Sequence, residues 1–179
     1  RNVIRLKESS LTLEAVERDE LTGLYTEQAF SHYVKQIMSF KPNKKMQLIV
    51  AKVKDFKLVN SIYGAEKADE FLRYLASAYS KRLKDGLIAR KANTSFVCLL
   101  YGDKELDHQK MADTINEISE NAPIKGVKVK YGIYEDIDKN LPISTCYDYV
   151  SLAIETIMES YDHDIAFYTE EIAKKRIHE

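Results

Sequence analysis

The stretch LIARKANTSFVCLLY, residues 87–101, sets two apolar runs around the polar turn KANTS. A turn between buried strands is a common place for an α/β protein to carry chemistry. Yet Lys91 to Ser95 supply no carboxylate, histidine or glycine, so neither acid–base work nor metal ligation can be written for them alone. Asp162-His163-Asp164 has the residue types of a metal ligand set, but a lone histidine between two acids in a turn reads more simply as a solvated loop. Cys98 lies inside an apolar run and Cys146 stands alone far along the chain. Both read as reduced, packed thiols rather than a disulfide framework, which points to the cytoplasm.

Length and charge narrow the classes of partner. The 179 residues suffice for one domain with a sizeable core plus a helical extension. Charged residues make up 31% and nearly cancel to a net charge of -1, so no global field draws the chain to nucleic acid or an anionic membrane. No apolar stretch approaches the roughly 18 to 20 residues that span a bilayer, and RNVIRLKESS lacks the apolar core of a secretion signal. This fragment is therefore not expected to insert into a membrane, although it suits the cytoplasmic part of a membrane-anchored sensor.

The elements around the turn follow from periodicity. RNVIRLKESSLTLEAVERD spaces Val3, Leu6, Leu13 and Val16 along one helical stripe without Gly or Pro, and predicts a linker helix over residues 1–18. Thr26 before Glu27 predicts the cap of a helix carrying Phe30, Tyr33, Val34, Ile37 and Met38, which KPNKK ends. MQLIVAKV, residues 46–53, reads as a buried strand, and DFKLVNSIYG as a short helix closed by Gly64. A long helix through Phe71, Leu72, Leu75 and Tyr79 leads to the two strands around KANTS. A helix through Met111, Ile115 and Ile118, a strand over 127–134, a helix from about Tyr147 to Ser160 and a last strand IAFYT complete the order. A hairpin inside alternating βα units predicts an α+β fold: a palm-like, ferredoxin-like central mixed sheet with helices packed on it. Palm-like sheets commonly present chemistry at the end of the first strand and at the neighbouring hairpin tip, which are AKVKDFK and KANTS in this chain.

Two motifs carry a resemblance. DELTGLYTEQAF, residues 19–30, is similar to D-x-L-T-G-L-x-N-R-x-x-F, and DFKLVNSIYGAEKAD, residues 55–69, to D-x-F-K-x-I-N-D-x-Y-G-H-x-x-G-D. These are motifs of the GGDEF, or diguanylate cyclase, domain, a nucleotidyl-cyclase palm. Arg90 stands where that family has an arginine before its signature hairpin, and KYGIY resembles its S-I-G-hydrophobic strand. The resemblance covers residues 19–169. Such domains condense two GTP molecules into cyclic di-GMP across a homodimer, using clustered carboxylates to hold Mg²⁺ against the phosphates.

Aligned on Phe56-Lys57, the resemblance puts Lys52 and Lys54 on the two strand aspartates, and counting from Arg90 puts Ala92 to Phe96, ANTSF, on the signature. Thr94 then replaces the metal-binding acid, Ser95 the acid that assists catalysis, and Ala92 and Asn93 the glycines. Two ammonium groups near a divalent cation repel it by about 4 kcal/mol per unit-charge pair at ~4 Å and effective permittivity ~20. No cofactor is therefore expected, Mg²⁺ entering only if the site is active through other carboxylates. Asp55 should point to the opposite face of the strand and serve as a helix N-cap.

The base-binding side differs. The resemblance carries the guanine-contacting Asn and Asp onto Asn60 and Asp69, nine residues apart, with the phosphates at the backbone of Phe56 and Lys57. Lys52, Lys54 and Lys57 would compensate phosphate charge without metal. Against this stands a plainer reading, in which Asn60 caps a turn, Asp69 favours a helix start and the lysines are solvated. Arg82 and Asp85 resemble the R-x-x-D of the product-inhibition site, displaced by about one residue, and Tyr161 falls on the lysine of K-x-x-G-x-N.

These residues imply a catalytically inactive regulatory domain in bacterial cyclic di-GMP signalling that takes GTP as an allosteric ligand. The alternatives are an active cyclase with an atypical metal site and a ligand-free interaction or dimerisation module. FYTEEIAKKRIHE resembles the helical linker that joins such domains to EAL phosphodiesterase domains, so residues 170–179 are expected to lead to an intramolecular EAL partner. Residues 1–18 would connect an upstream sensor, and a homodimer is an expected assembly.

Overall fold

Thr26 fixes where the first described helix begins, its hydroxyl accepting a 3.3 Å hydrogen bond from the Ala29 N–H. A computed structural model describes residues 17–102 and 104–178. Strand β1 (Tyr25–Thr26) leads into helix α1 (Glu27–Phe40), β2 (Gln47–Val53), α2 (Phe56–Tyr63), α3 (Ala65–Arg82) and the hairpin of β3 (Gly86–Ala92) and β4 (Ser95–Leu100). Then come α4 (His108–Glu120), β5 (Val129–Tyr134), α5 (Ile143–Glu155), β6 (Ile165–Phe167) and α6 (Glu170–His178). The linker helix expected over residues 1–18 falls almost wholly outside the described residues, and Arg18 pairs antiparallel with Tyr25.

The strands form one mixed sheet in the order β1-β3-β4-β2-β5-β6. The central four are mutually antiparallel, while the short β1 and β6 join the edges in parallel. This is the expected palm-like α+β architecture, with β1 as an addition. Alternation along each strand feeds two cores. Ala51, Val53, Phe96 and Tyr131 pack under α3 and α4 with Phe71, Leu75 and Ile118. Leu48, Val50, Val97 and Leu99 pack on the other face with Phe30 and Val34 of α1 and Cys146, Val150 and Ile154 of α5. Both cysteines are free thiols, and burial pushes Cys98 up to about 12.

The α5 helix starts and stops earlier than its predicted span of 147–160. Pro142 occupies its cap position at φ -57°, suited to a helix start. After Glu155 the chain tightens into turns closed by Ile157 N–H to Ile154 O at 3.0 Å and Ser160 N–H to Ile157 O at 3.0 Å. Gly132 lets α5 lie close on the sheet: a Cβ there would meet the Val150 carbonyl oxygen at 2.8 Å.

Beside it, Lys130 breaks the usual rule for charged side chains. It is fully buried, and its ammonium donates to Ser160 O at 2.6 Å, His163 O at 2.7 Å and Asp164 Oδ1 at 2.9 Å. The loop before β6 is therefore tied from within, where the sequence suggested only a solvated Asp-His-Asp turn. Among the described residues no helix is long and apolar enough to cross a membrane.

Candidate functional site

The end of β2 and the tip of the β3–β4 hairpin are neighbours. Lys52 lies opposite Ser95 on one side and Lys130 on the other, and the Val53 N–H donates to Thr94 O at 2.9 Å. On the far side the Lys54 N–H donates to Lys128 O at 2.8 Å. The hairpin register shifts between Arg90 and Ala92, a bulge that re-aims the turn.

Arg90 holds that turn from behind. One guanidinium nitrogen reaches both Asp19 oxygens at 3.2 Å and the other donates to Asn93 O at 2.9 Å. Burial alone would raise the Asp19 carboxyl, but hydrogen bonds from the Thr22 hydroxyl and backbone N–H, with the Arg90 charge, hold it below its ordinary value. A depressed folded pKa means that this stabilisation is present above the unfolded pKa and is lost as pH falls through the folded one. Urea melts across a pH series should therefore give Asp19→Asn a shallower loss of stability than the parent below about pH 4. Parallel acid limbs would show that these contacts do not hold the carboxyl.

Ser95 is not presented to solvent. It is 5% exposed, and Tyr147 of α5, whose pKa burial raises, lies on the same side of the hairpin. Lys91 sits 4.4 Å from the centre of the Tyr147 ring and pairs with Glu27. Sequence reasoning missed Tyr147, which arrives from a helix some fifty residues downstream and belongs to no motif.

The β2–α2 connection corrects one expectation. Asp55 occupies the cap position of α2 but makes no side-chain cap bond, and its backbone is left-handed at φ 55°, ψ 38°. Aspartate tolerates that region better than most residues. Its carbonyl instead accepts from Leu58 N–H at 3.0 Å and Val59 N–H at 3.1 Å. The first N–H groups of α2, at Phe56 and Lys57, lack intrahelical acceptors, as at any helix start. Phe56 is half-buried, whereas Lys57 and Asn60 are exposed. Gly64, at φ 89°, turns the chain directly into α3, which carries half-buried Asp69 five positions in.

The sequence model of the family described as "Diguanylate cyclase, GGDEF domain" matches residues 16–143. The chain belongs to the GGDEF family. Among curated proteins none matches its sequence significantly. Among solved structures, the coiled coil and GGDEF domain of DgcB from Caulobacter crescentus, in complex with c-di-GMP, is similar with TM-score 0.75 at 18% identity, over 93% of each chain. Diguanylate cyclase SiaD from Pseudomonas aeruginosa, in complex with its activator SiaC, gives 0.70 at 19% over 93% of this chain and 68% of that one. The S helix-GGDEF-EAL part of Vibrio cholerae LapD, bound to c-di-GMP, gives 0.70 at 15% over 99% of this chain and 46% of that one. This is a GGDEF domain of cyclic di-GMP signalling.

The residues at this GGDEF domain's strand end and hairpin tip do not fit a divalent cation. The donor set is Lys52, Lys54, Thr94 and Ser95, and Ser95 is buried. Among the described residues no group of three His, Cys, Asp or Glu side chains could hold a metal ion. Lys54 itself points to Glu159, 3.4 Å away.

The remaining candidates are placed as follows. Arg82 donates to Ala78 O at 2.9 Å and pairs with Glu117 at 3.4 Å, while the Asp85 carbonyl accepts from Tyr101 N–H at 3.0 Å. The contacts of Arg82 thus run along α3 and to α4. Tyr161 is exposed, its ring 5.0 Å from Lys128 Nζ.

Proposed function

We propose that this GGDEF domain is a catalytically inactive regulatory module that binds GTP without a divalent metal. One observation carries the reading: at the adjoining strand end and hairpin tip, the positions aligned with the family's carboxylates hold Lys52, Lys54, Thr94 and Ser95, and Ser95 is buried. Ammonium groups repel a metal yet attract a triphosphate. Asn60 and Asp69 supply an amide and a carboxylate for the polar edge of guanine, on two helices joined by the single residue Gly64. The unpaired N–H groups that begin α2 favour an anion, with Lys57 exposed beside them. Lys52 is exposed at the strand end, whereas Lys54 shares its charge with Glu159.

In this reading the domain relays a signal within a composite protein, from an upstream sensor to an EAL domain reached through α6. Support comes from α6, in which no residue is fully buried and only Ile172 packs partly on Ala153, Ile157 and Ala166, and from LapD, whose structure carries a GGDEF domain followed by an EAL domain.

Incubation with GTP and Mg²⁺ should give no cyclic di-GMP, and clear turnover would sink the inactive assignment. Calorimetry with GTP in EDTA should show binding that Asn60→Ala and Asp69→Ala each weaken by about tenfold or more. Heat of dilution alone from the parent chain would remove the nucleotide and leave an interaction module.

A further inference from the structure

The side of α2 turned away from Asn60 is apolar, exposed and concave against its neighbour. Leu58 and Ile62 are 57% and 64% exposed, and each lies two positions from Asn60, hence about 200° round the helix from it. With half-exposed Tyr63 they form one wall of an open groove of about 230 Å³. The opposite wall is the α4–β5 connection, residues 125–128, which contributes Lys125 and Lys128. Tyr161, 82% exposed and stacked under the Lys128 ammonium, extends the apolar surface. Single exposed apolar residues are ordinary, but three large ones lining one groove, with a fourth beside its rim, have the character of an interaction surface.

We infer that this groove docks an acidic amphipathic helix of a partner protein. Leu58 and Ile62 stand at the i, i+4 spacing of a helical ridge, which packs between the side-chain rows of a second helix. Charge selects the sign of the partner. Lys125 and Lys128 rim the groove, whose lining also holds Lys54, paired with Glu159, and one acid, Asp55. A helix with carboxylates flanking its apolar stripe would complement the two lysines. The chain's own residues 1–16 have the wrong sign, with Arg1, Arg5 and Lys7 against Glu8 and Glu14. A bilayer surface suits a convex apolar face better than a groove.

The test uses the full chain and a display library of randomised helical peptides, depleted on the Leu58→Ser/Ile62→Ser variant. Enriched peptides should carry apolar residues at i, i+3 or i+4, and i+7, with net negative charge. By fluorescence anisotropy, a labelled enriched peptide should bind about tenfold or more weakly to Ile62→Ser and to Lys125→Glu/Lys128→Glu. A version of the peptide with lysines for its glutamates should regain affinity for the charge-reversed chain, a rescue that loss of folding cannot mimic. The inference is overturned if nothing is enriched, if enriched peptides are neutral or basic, or if the variants bind equally. Self-association in sedimentation that Ile62→Ser abolishes would assign the groove to a second copy. Binding of phosphatidylserine vesicles that Ile62→Ser abolishes would assign it to a membrane, and either outcome replaces the helical partner.

Discussion

Replacing Lys130 by methionine should lower the stability of the chain by about 3 kcal/mol, the scale of removing one partner from a buried charge network. Methionine fills most of the same volume, so the loss isolates the ammonium rather than the packing. Without it, the carbonyls of Ser160 and His163 lose their shared donor and the Asp164 carboxylate its cation. Asp164 is about a third exposed, so water offsets part of its loss, which holds the estimate at the low end. The thermal midpoint should fall by roughly 6 to 12 °C for a chain of this length. Asp164→Asn leaves both carbonyl contacts in place and should cost only about 1 kcal/mol. A Lys130→Met midpoint within a degree or two of the parent would sink the idea that this lysine holds the loop before β6.

Gly132→Ala tests the seat of α5 on the sheet. A Cβ there would stand 2.6 Å from Ile154 Cγ1 and 2.7 Å from Val150 Cγ1, contacts that side chains can relieve, but also 2.8 Å from the Val150 carbonyl oxygen, which moves only with the helix. The expected destabilisation is about 2 to 3 kcal/mol in urea melts. Adding Val150→Ala should recover only a fraction, because the carbonyl clash persists. If Gly132→Ala melts like the parent, α5 does not approach the strand as closely as these distances require.

Both sites show what sequence can and cannot say about this fold. In VKVKYGIY the alternation sends Lys128 and Lys130 to one face and leaves both in water, yet Lys130 is fully buried. Burial there depends on where the turns after α5 fold back, and those turns replace the last helical turn that the periodicity of 147–160 predicts. The apolar runs of β2 and the hairpin were legible because each is long enough to state its period. Two-residue β1 is too short to have one, and only pairing with Ala89 and Arg90 makes it a strand.

At the candidate site, the lysines and hydroxyls at positions 52, 54, 94 and 95 and the two helices that carry Asn60 and Asp69 could be read from the sequence. The approach of Tyr147 to Lys91 beside the hairpin could not, since it depends on how α5 crosses the sheet. Nor could the left-handed backbone of Asp55, because aspartate before a helix more often signals a side-chain cap.

The Arg90 guanidinium has a mechanical meaning. It is a rigid planar fork with one tine on Asp19, where the chain enters the domain, and the other on Asn93 at the hairpin tip. Beside it β1 lies in register with Ala89 and Arg90. A single side chain therefore bridges the segment at Asp19 and the hairpin tip. Arg90→Ala should uncouple the two, seen as faster amide exchange at the hairpin tip with the core strands unchanged. The hairpin tip, which holds no carboxylate, is thus pinned from behind to the segment that precedes β1.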